Sequence, residues 1–259
     1  MNHLKTEPNI EIHSAPPLVE GAGGRLFHFK QFTIQQDQCA MKVGTDGVLL
    51  GSWTDVSGIQ SILDIGTGTG LIALMLAQRS PATICGIEID ENAALQAIEN
   101  VNNSPWRERI KIEATSLQVF VKNTGCRFDL IVSNPPYFNK SLKNPDIQRS
   151  VARHADSLSQ EDLITAACAL LSDAGRLSVI LPAAEGAEFI LRAESSRLYC
   201  SKKTKVIPRI GASEKRLLLE FSRTKEVCRE DSLLIERERH DYSDEFRGLT
   251  KDYYLDKSI

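Results

Sequence analysis

The chain of 259 residues contains no Cys-x-x-Cys pair, no His-Glu-x-x-His stretch and no Gly-x-Ser-x-Gly turn. These absences exclude the common zinc clusters, the zinc-peptidase helix and the serine-hydrolase elbow, so no metal is expected. The six cysteines, Cys39, Cys85, Cys126, Cys168, Cys200 and Cys228, are scattered and read as free thiols, several of them in core strands and helices. No apolar run approaches the length that crosses a bilayer, and the first residues lack the pattern of a secretory leader. A cytoplasmic protein with no membrane partner is therefore expected, with a monomer as the favoured state. Excess charge is also small, with a formal net charge of -3. Wholesale nucleic-acid binding does not follow from that balance, and any RNA contact has to come from a local basic patch. Internal repeats are absent as well.

What the chain does have is a core-forming composition, 42% hydrophobic, enough for one large α/β domain with appendages. Residues 1–24 carry Pro16-Pro17 and Gly21-Ala22-Gly23-Gly24 with little apolar content, and are expected to be a disordered tail. Residues 25–57 read as an N-terminal hairpin, from the alternation Leu26 to Ile34, followed by a helix capped by Thr45 or Asp46 with Val48, Leu49 and Trp53 turned inward. Residues 58–259 read as the sheet core of the same single domain.

Three strand ends carry the chemistry. Ser61–Ile65 is a strand, Gly66-Thr67-Gly68-Thr69-Gly70 the turn after it, and Leu71 onward a helix apolar nearly all round. Glycines let a ligand approach the backbone, and the helix start offers free N–H groups. A dinucleotide fingerprint would need glycine at 71, where this chain has Leu71. Asp64, two residues before the first glycine, orients the loop and favours a ligand with positive charge over a pyrophosphate. The second strand, Thr83 to Asp90, ends on Glu88, placed to accept hydrogen bonds from both hydroxyls of a ribose; Asp90 reads as the cap of the next helix, with Ala94, Ala97, Ile98 and Val101 on its buried face. The loop around Ser116 follows a third strand. A fourth strand, Phe128–Ser133, runs into Asn134-Pro135-Pro136-Tyr137. Two prolines stop the pairing and stiffen the bend. That bend offers an amide side chain, carbonyls with no competing N–H, and an aromatic face, which together suit a planar group bearing an NH₂.

Further on, the polar stretch 138–156 contains Arg149, Arg153 and His154, candidate substrate contacts. Ser159 opens a helix ended by Gly175, and Leu177–Leu181 is a fifth strand. The runs Leu198 to Val206 and Arg216 to Phe221 read as an antiparallel closing hairpin. Beside them, Lys202, Lys203, Lys205, Arg209, Lys215 and Arg216 form the local basic concentration, a candidate phosphate-contacting patch. A last short helix with aromatic anchors is expected between Asp241-Tyr242 and Tyr253-Tyr254.

Taken together, Asp64 to Gly70, Glu88 and Asn134-Pro-Pro-Tyr137 resemble a class I S-adenosylmethionine-dependent methyltransferase that modifies amino groups. From about Phe27 onward the resemblance narrows. Phe29-Lys30-Gln31-Phe32, Cys39 to Gly47, Asn102-Asn103-Ser104-Pro105-Trp106, Tyr242-Ser243 and Leu249-Thr250 resemble the bacterial tRNA(Val) adenine-N6 methyltransferases. The resemblance implies a Rossmann-like fold: a seven-stranded, mostly parallel sheet with an antiparallel C-terminal hairpin and helices on both faces. It implies S-adenosyl-L-methionine as cofactor, tRNA as partner, and N6-methylation of the adenine 3′ of the anticodon. It also implies that Lys42 to Gly47, Thr45 among them, lie near the methionine end of the cofactor. The family's adenine loop often carries an aspartate where this chain has Ser116, leaving backbone N–H groups to read the ring. By the same resemblance Asn134 and the Pro135 carbonyl accept the amino hydrogens of the target, with Pro136 fixing the bend and Tyr137 stacking on the base. Two other readings share parts of this pattern: a glutamine N5-methylase of a release factor, and a non-catalytic RNA-binding protein on the same scaffold.

Overall fold

The computed structural model describes residues 25–39, 41–136 and 158–255; the tail 1–24 lies outside them. Two strands, β1 (Leu26–His28) and β2 (Thr33–Gln35), form the expected hairpin as a small sheet of their own. After α1 (Thr45–Trp53) come β3 (Ser61–Ile65), α2 (Leu71–Arg79), β4 (Thr83–Glu88), α3 (Glu91–Asn102), β5 (Ile110–Ala114), α4 (Leu117–Asn123) and β6 (Phe128–Ser133). The second half comprises α5 (Gln160–Leu170), β7 (Leu171–Pro182), α6 (Ala183–Ser195), β8 (Tyr199–Arg209), β9 (Arg216–Ser222), β10 (Arg229–Glu238), β11 (Asp241–Tyr242) and α7 (Asp244–Thr250).

The main sheet has nine strands in the order β11-β10-β8-β9-β7-β6-β3-β4-β5. The seven expected strands form one contiguous block. β5, β4, β3, β6 and β7 are parallel, and β9 is antiparallel to both β7 and β8. The count of seven is corrected by β10, which adds parallel to β8, and by β11. Alternation sorts side chains to two cores. Ile62, Leu130, Val132, Ile180 and Leu218 face a core shared with α1, α2 and the hairpin; Leu63, Ile131, Val179 and Leu219 face a second core under α5 and α6. No helix among the described residues is long and apolar enough to cross a membrane.

Three local expectations are corrected. The N-cap of α1 is Gly44, with no side-chain cap, while Asp46 accepts a hydrogen bond from Arg216 Nε at 2.7 Å. Gly175 does not end a helix; α5 stops at Leu170, and Gly175 lies inside β7, where a Cβ would stand 2.8 Å from the Phe128 carbonyl. Ile98, expected on the buried face of α3, is exposed, and Gln96 and Asn100 are buried in that helix.

Aromatic residues of the N-terminal hairpin gather with those around α7. Phe29 lies 4.6 Å from the rings of both Phe27 and Phe32, and 6.0 Å from Tyr254; Tyr242 stacks on Phe246 at 5.0 Å. Tyr253 donates its hydroxyl to the Met75 carbonyl of α2 at 2.9 Å. The helix α1 lies close against α2 because its contact face is glycine: a Cβ at Gly51 would sit 2.8 Å from Met75 Sδ, and one at Gly47 3.0 Å from Leu71 Cδ2. Arg79, at the end of α2, donates to the Gly51 and Ser52 carbonyls and so satisfies the C-terminus of α1. Gly51→Val should therefore overpack this seam and lower stability by about 1–3 kcal/mol in urea denaturation. An unchanged midpoint would mean that the helices separate at little cost.

Candidate functional site

The order of the sheet places the site. From β3 the chain winds outward through β4 and β5; β6, on the other side of β3, leads outward to β7. The strand order thus reverses between β3 and β6, and in open α/β sheets the crevice at the carboxyl ends of such a pair is where ligands bind. Ile65 pairs with Ser133 in parallel register, and the Ser133 hydroxyl donates to the Ile65 carbonyl at 2.9 Å. Gly66 and Asn134 are the next residues after this bonded pair. The glycine loop and the Asn-Pro-Pro bend therefore leave the sheet side by side.

Every glycine of the loop has positive φ: 71° at Gly66, 56° at Gly68 and 81° at Gly70, which caps α2. At Gly66 and Gly68 a Cβ would meet nothing within 4 Å, so bare backbone faces open space at the crevice. The loop is held from behind. Gly66 N and Thr67 N donate to the Ile87 carbonyl at 2.9 and 3.0 Å, and the Thr67 hydroxyl donates to Asp64 Oδ2 at 2.6 Å. Glu88 accepts from Gly68 N at 2.9 Å with one oxygen and from Asp90 N at 3.0 Å with the other. It thus ties the glycine loop to the start of α3, whose cap is Asp90, accepting from Ala93 N at 2.9 Å.

Asp64 is fully buried, and its Oδ1 has no hydrogen-bond partner. Burial pushes its carboxyl up to about 7, opposed by hydrogen bonding from Thr67 and the Ala73 backbone, with the Glu88 carboxylate adding a little. Ser116 is the N-cap of α4 and accepts from Val119 N at 3.3 Å, at the end of β5. The neighbouring Thr115 N donates to the Glu88 carbonyl at 2.8 Å. Asn134 is half-buried, Pro135 buried and Pro136 exposed; Lys42 is exposed and Thr45 opens α1. Tyr137, Arg149, Arg153 and His154 lie outside the described residues.

The basic patch divides. Lys202 holds its ammonium 4.4 Å from the centre of the Trp53 ring, and Lys203 pairs with Glu230 at 2.7 Å. Lys205 is half-buried and Arg209 and Lys215 are exposed, beyond the row in which Val179 pairs with Ser133. Sequence reasoning gave Ser133, at the head of the Asn-Pro-Pro-Tyr stretch, no role of its own, and missed the buried polar side chains Gln36, Gln96 and Asn100. The last two had a detectable signal: they fall on the apolar stripe of α3 beside Ala93 and Ala97. Among the described residues no group of three or more His, Cys, Asp or Glu is placed to hold a metal.

Because Asp64 ionises near pH 4 in an unfolded chain and near 7 here, the native state holds the proton more tightly. Its contribution favours folding at acid pH, is lost as pH rises towards 7, and is gone above it. The isosteric Asp64→Asn, uncharged throughout, should gain stability relative to the unsubstituted protein between about pH 5 and 7 and gain no more above about pH 8, by on the order of a few kcal/mol. A difference that does not change with pH in denaturation titrations would show that Asp64 is ionised throughout.

Comparison with known proteins bears on the family and the fold. Residues 48–207 match the family model described as methyltransferase small domain. A tRNA1(Val) (adenine(37)-N6)-methyltransferase of Trichodesmium erythraeum is 52% identical over 236 residues, covering 90% of this chain and 99% of that protein. One of the same name from Bacteroides fragilis is 51% identical over 89% of this chain and 98% of its own length. Among solved structures, one described as a predicted O-methyltransferase from Agrobacterium tumefaciens superposes with a TM-score of 0.64 at 22% identity, over 80% of this chain and 96% of that one. A ribosomal protein L11 methylase from Lactobacillus delbrueckii gives 0.54 at 16% identity, over 74% and 84%; both likenesses establish the fold. With more than half of the chain inside the domain model and nearly full-length relatives at about half identity, the chain belongs to the tRNA1(Val) (adenine(37)-N6)-methyltransferase family.

Proposed function

We propose that this chain methylates N6 of adenine 37 in tRNA1(Val), using S-adenosyl-L-methionine, in the cytoplasm. The observation that carries this reading is the Ser133–Ile65 hydrogen bond, which sets the Asn-Pro-Pro bend beside the glycine loop at the reversal of strand order. The residues fit the cofactor. Gly66 and Gly68 leave backbone open to the crevice, Asp64 keeps an unpartnered carboxylate oxygen behind the loop, and Glu88 stands at the end of β4 where a ribose would be held. When bound, the cofactor supplies a methyl group already activated on a sulfonium.

The remaining difficulty is the nucleophile, because the lone pair of an adenine amino group is delocalised into the ring. Asn134 Oδ1 and the Pro135 carbonyl accept the two amino hydrogens and localise that lone pair towards the crevice. Pro135 cannot donate a competing N–H, and the two prolines hold the carbonyl in place. This is orientation and electrostatic stabilisation by fixed acceptors, with no strong base required. Adenine must first leave its stack, at a cost of a few kcal/mol, less in an anticodon loop than in a duplex. Within the basic patch, Lys205, Arg209 and Lys215 are the cations best placed to meet the RNA backbone, since Lys202 and Lys203 face partners within the protein.

Transfer of labelled methyl to bulk tRNA, with release factor and duplex DNA as parallel acceptors, tests the reading. Label should enter tRNA alone, as N6-methyladenine at position 37; label in the release factor would assign glutamine methylation instead. Asn134→Ala should lower kcat by about 100-fold or more, with cofactor affinity within a few-fold. Conversely, Glu88→Ala removes an acceptor of charge-assisted bonds and should weaken cofactor binding about 10- to 100-fold in calorimetry. Full turnover by Asn134→Ala would falsify the assigned roles.

A further inference from the structure

Two buried polar residues of α3 tie the segment that follows β2 to the glycine loop. Asn100, 2% exposed, accepts from Gln35 N at 2.8 Å and donates to the Gln35 carbonyl at 2.9 Å. In effect its amide pairs with Gln35 as a neighbouring strand would. The second hydrogen of the same NH₂ goes to the Thr69 carbonyl, also at 2.9 Å, in the middle of the glycine loop. One helical turn earlier, Gln96 accepts from Gln38 N at 3.1 Å and donates to Asp37 Oδ1 at 2.7 Å. Gln36, itself buried, then accepts from Val43 N at 2.7 Å and so fixes where the chain re-enters towards α1.

We infer that Asn100 and Gln96 are positioning residues for cofactor binding: they hold the backbone at Gln35 and Gln38 in register with the glycine loop, so that one helix sets the loop and the segment after β2 together. Asn100 bonds two segments far apart in sequence, the backbone at Gln35 and the glycine loop at Thr69, and the second of these lines the crevice. An apolar side chain there would leave the N–H of Gln35 and the carbonyls of Gln35 and Thr69 without these partners. The inference rests on the reading that the crevice holds S-adenosylmethionine.

Calorimetric titration with S-adenosylhomocysteine, together with steady-state kinetics, tests it on Asn100→Ala, Gln96→Ala and Glu88→Ala. Asn100→Ala should raise the cofactor Kd and KM about 10-fold with kcat at saturating cofactor changed less than about 3-fold. Gln96→Ala, which keeps the bond to Thr69, should raise Kd about 3-fold. Hydrogen exchange at the amides of Gln35 and Gln38 should accelerate in the respective variants and slow on ligand addition. A lowered melting temperature with unchanged Kd in Asn100→Ala would overturn the inference and leave Asn100 a purely structural residue. Should Asn100→Ala fail to fold, an unchanged Kd in Gln96→Ala overturns it equally. If Glu88→Ala also binds normally, the crevice assignment itself has failed, and the inference that rests on it falls too.

Discussion

Everything at this site depends on β3 lying parallel and adjacent to β6. That pairing brings together two loops separated by more than sixty residues of sequence, and the buried Ser133 hydroxyl, donating to Ile65, fixes their relative height. Parallel neighbours need long crossovers, here the α2-β4-α3-β5-α4 excursion, so the pairing is a product of the whole first half of the chain. A slip by one residue would exchange the two faces of β6, putting Leu130 and Val132 where Ile131 now lies, and both cores resist that.

The rest of the site is stiffened against that frame by groups that are not themselves reactive. Glu88 bridges two backbone N–H groups, Thr67 bonds Asp64, and Asn100 of α3 bonds both the glycine loop and Gln35. Preorganisation of this kind is what a reaction driven by orientation requires, because acceptors already in place need not reorganise when the substrate arrives. Two carboxylates at the ends of the neighbouring strands β3 and β4 are also placed in contrasting surroundings. Asp64 lies fully buried behind the loop, held up to about 7 by burial, while Glu88 lies half-buried and bonded to N–H groups.

Much of this was legible in the sequence where several local signals coincided. The strand, the three glycines and the apolar helix after them marked the loop, and two prolines after an apolar run marked the bend. What escaped depended on distant partners. Arg229–Glu238 is rich in charge, with an apolar centre only at Leu233-Leu234-Ile235, and it is a strand because β8 is there to pair with it. Asp46 reads as a helix cap by chemistry, but Arg216, 170 residues away, claims its carboxylate. Gly175 reads as a helix stop, yet its small size answers to the Phe128 carbonyl of the neighbouring strand. Lys202 and Lys203 read as solvent-facing charges until Trp53 and Glu230 are seen against them.

The two borders of the main sheet have a consequence of their own. On one side the outermost strand, β11, is two residues long and is followed at once by a helix. On the other, β5 alternates with Lys111 and Glu113, which pair with each other at 2.8 Å along the rim. The stretch of β10 that β11 leaves uncovered begins Arg229-Glu230-Asp231, so charge stands at both borders and disfavours pairing with a foreign strand.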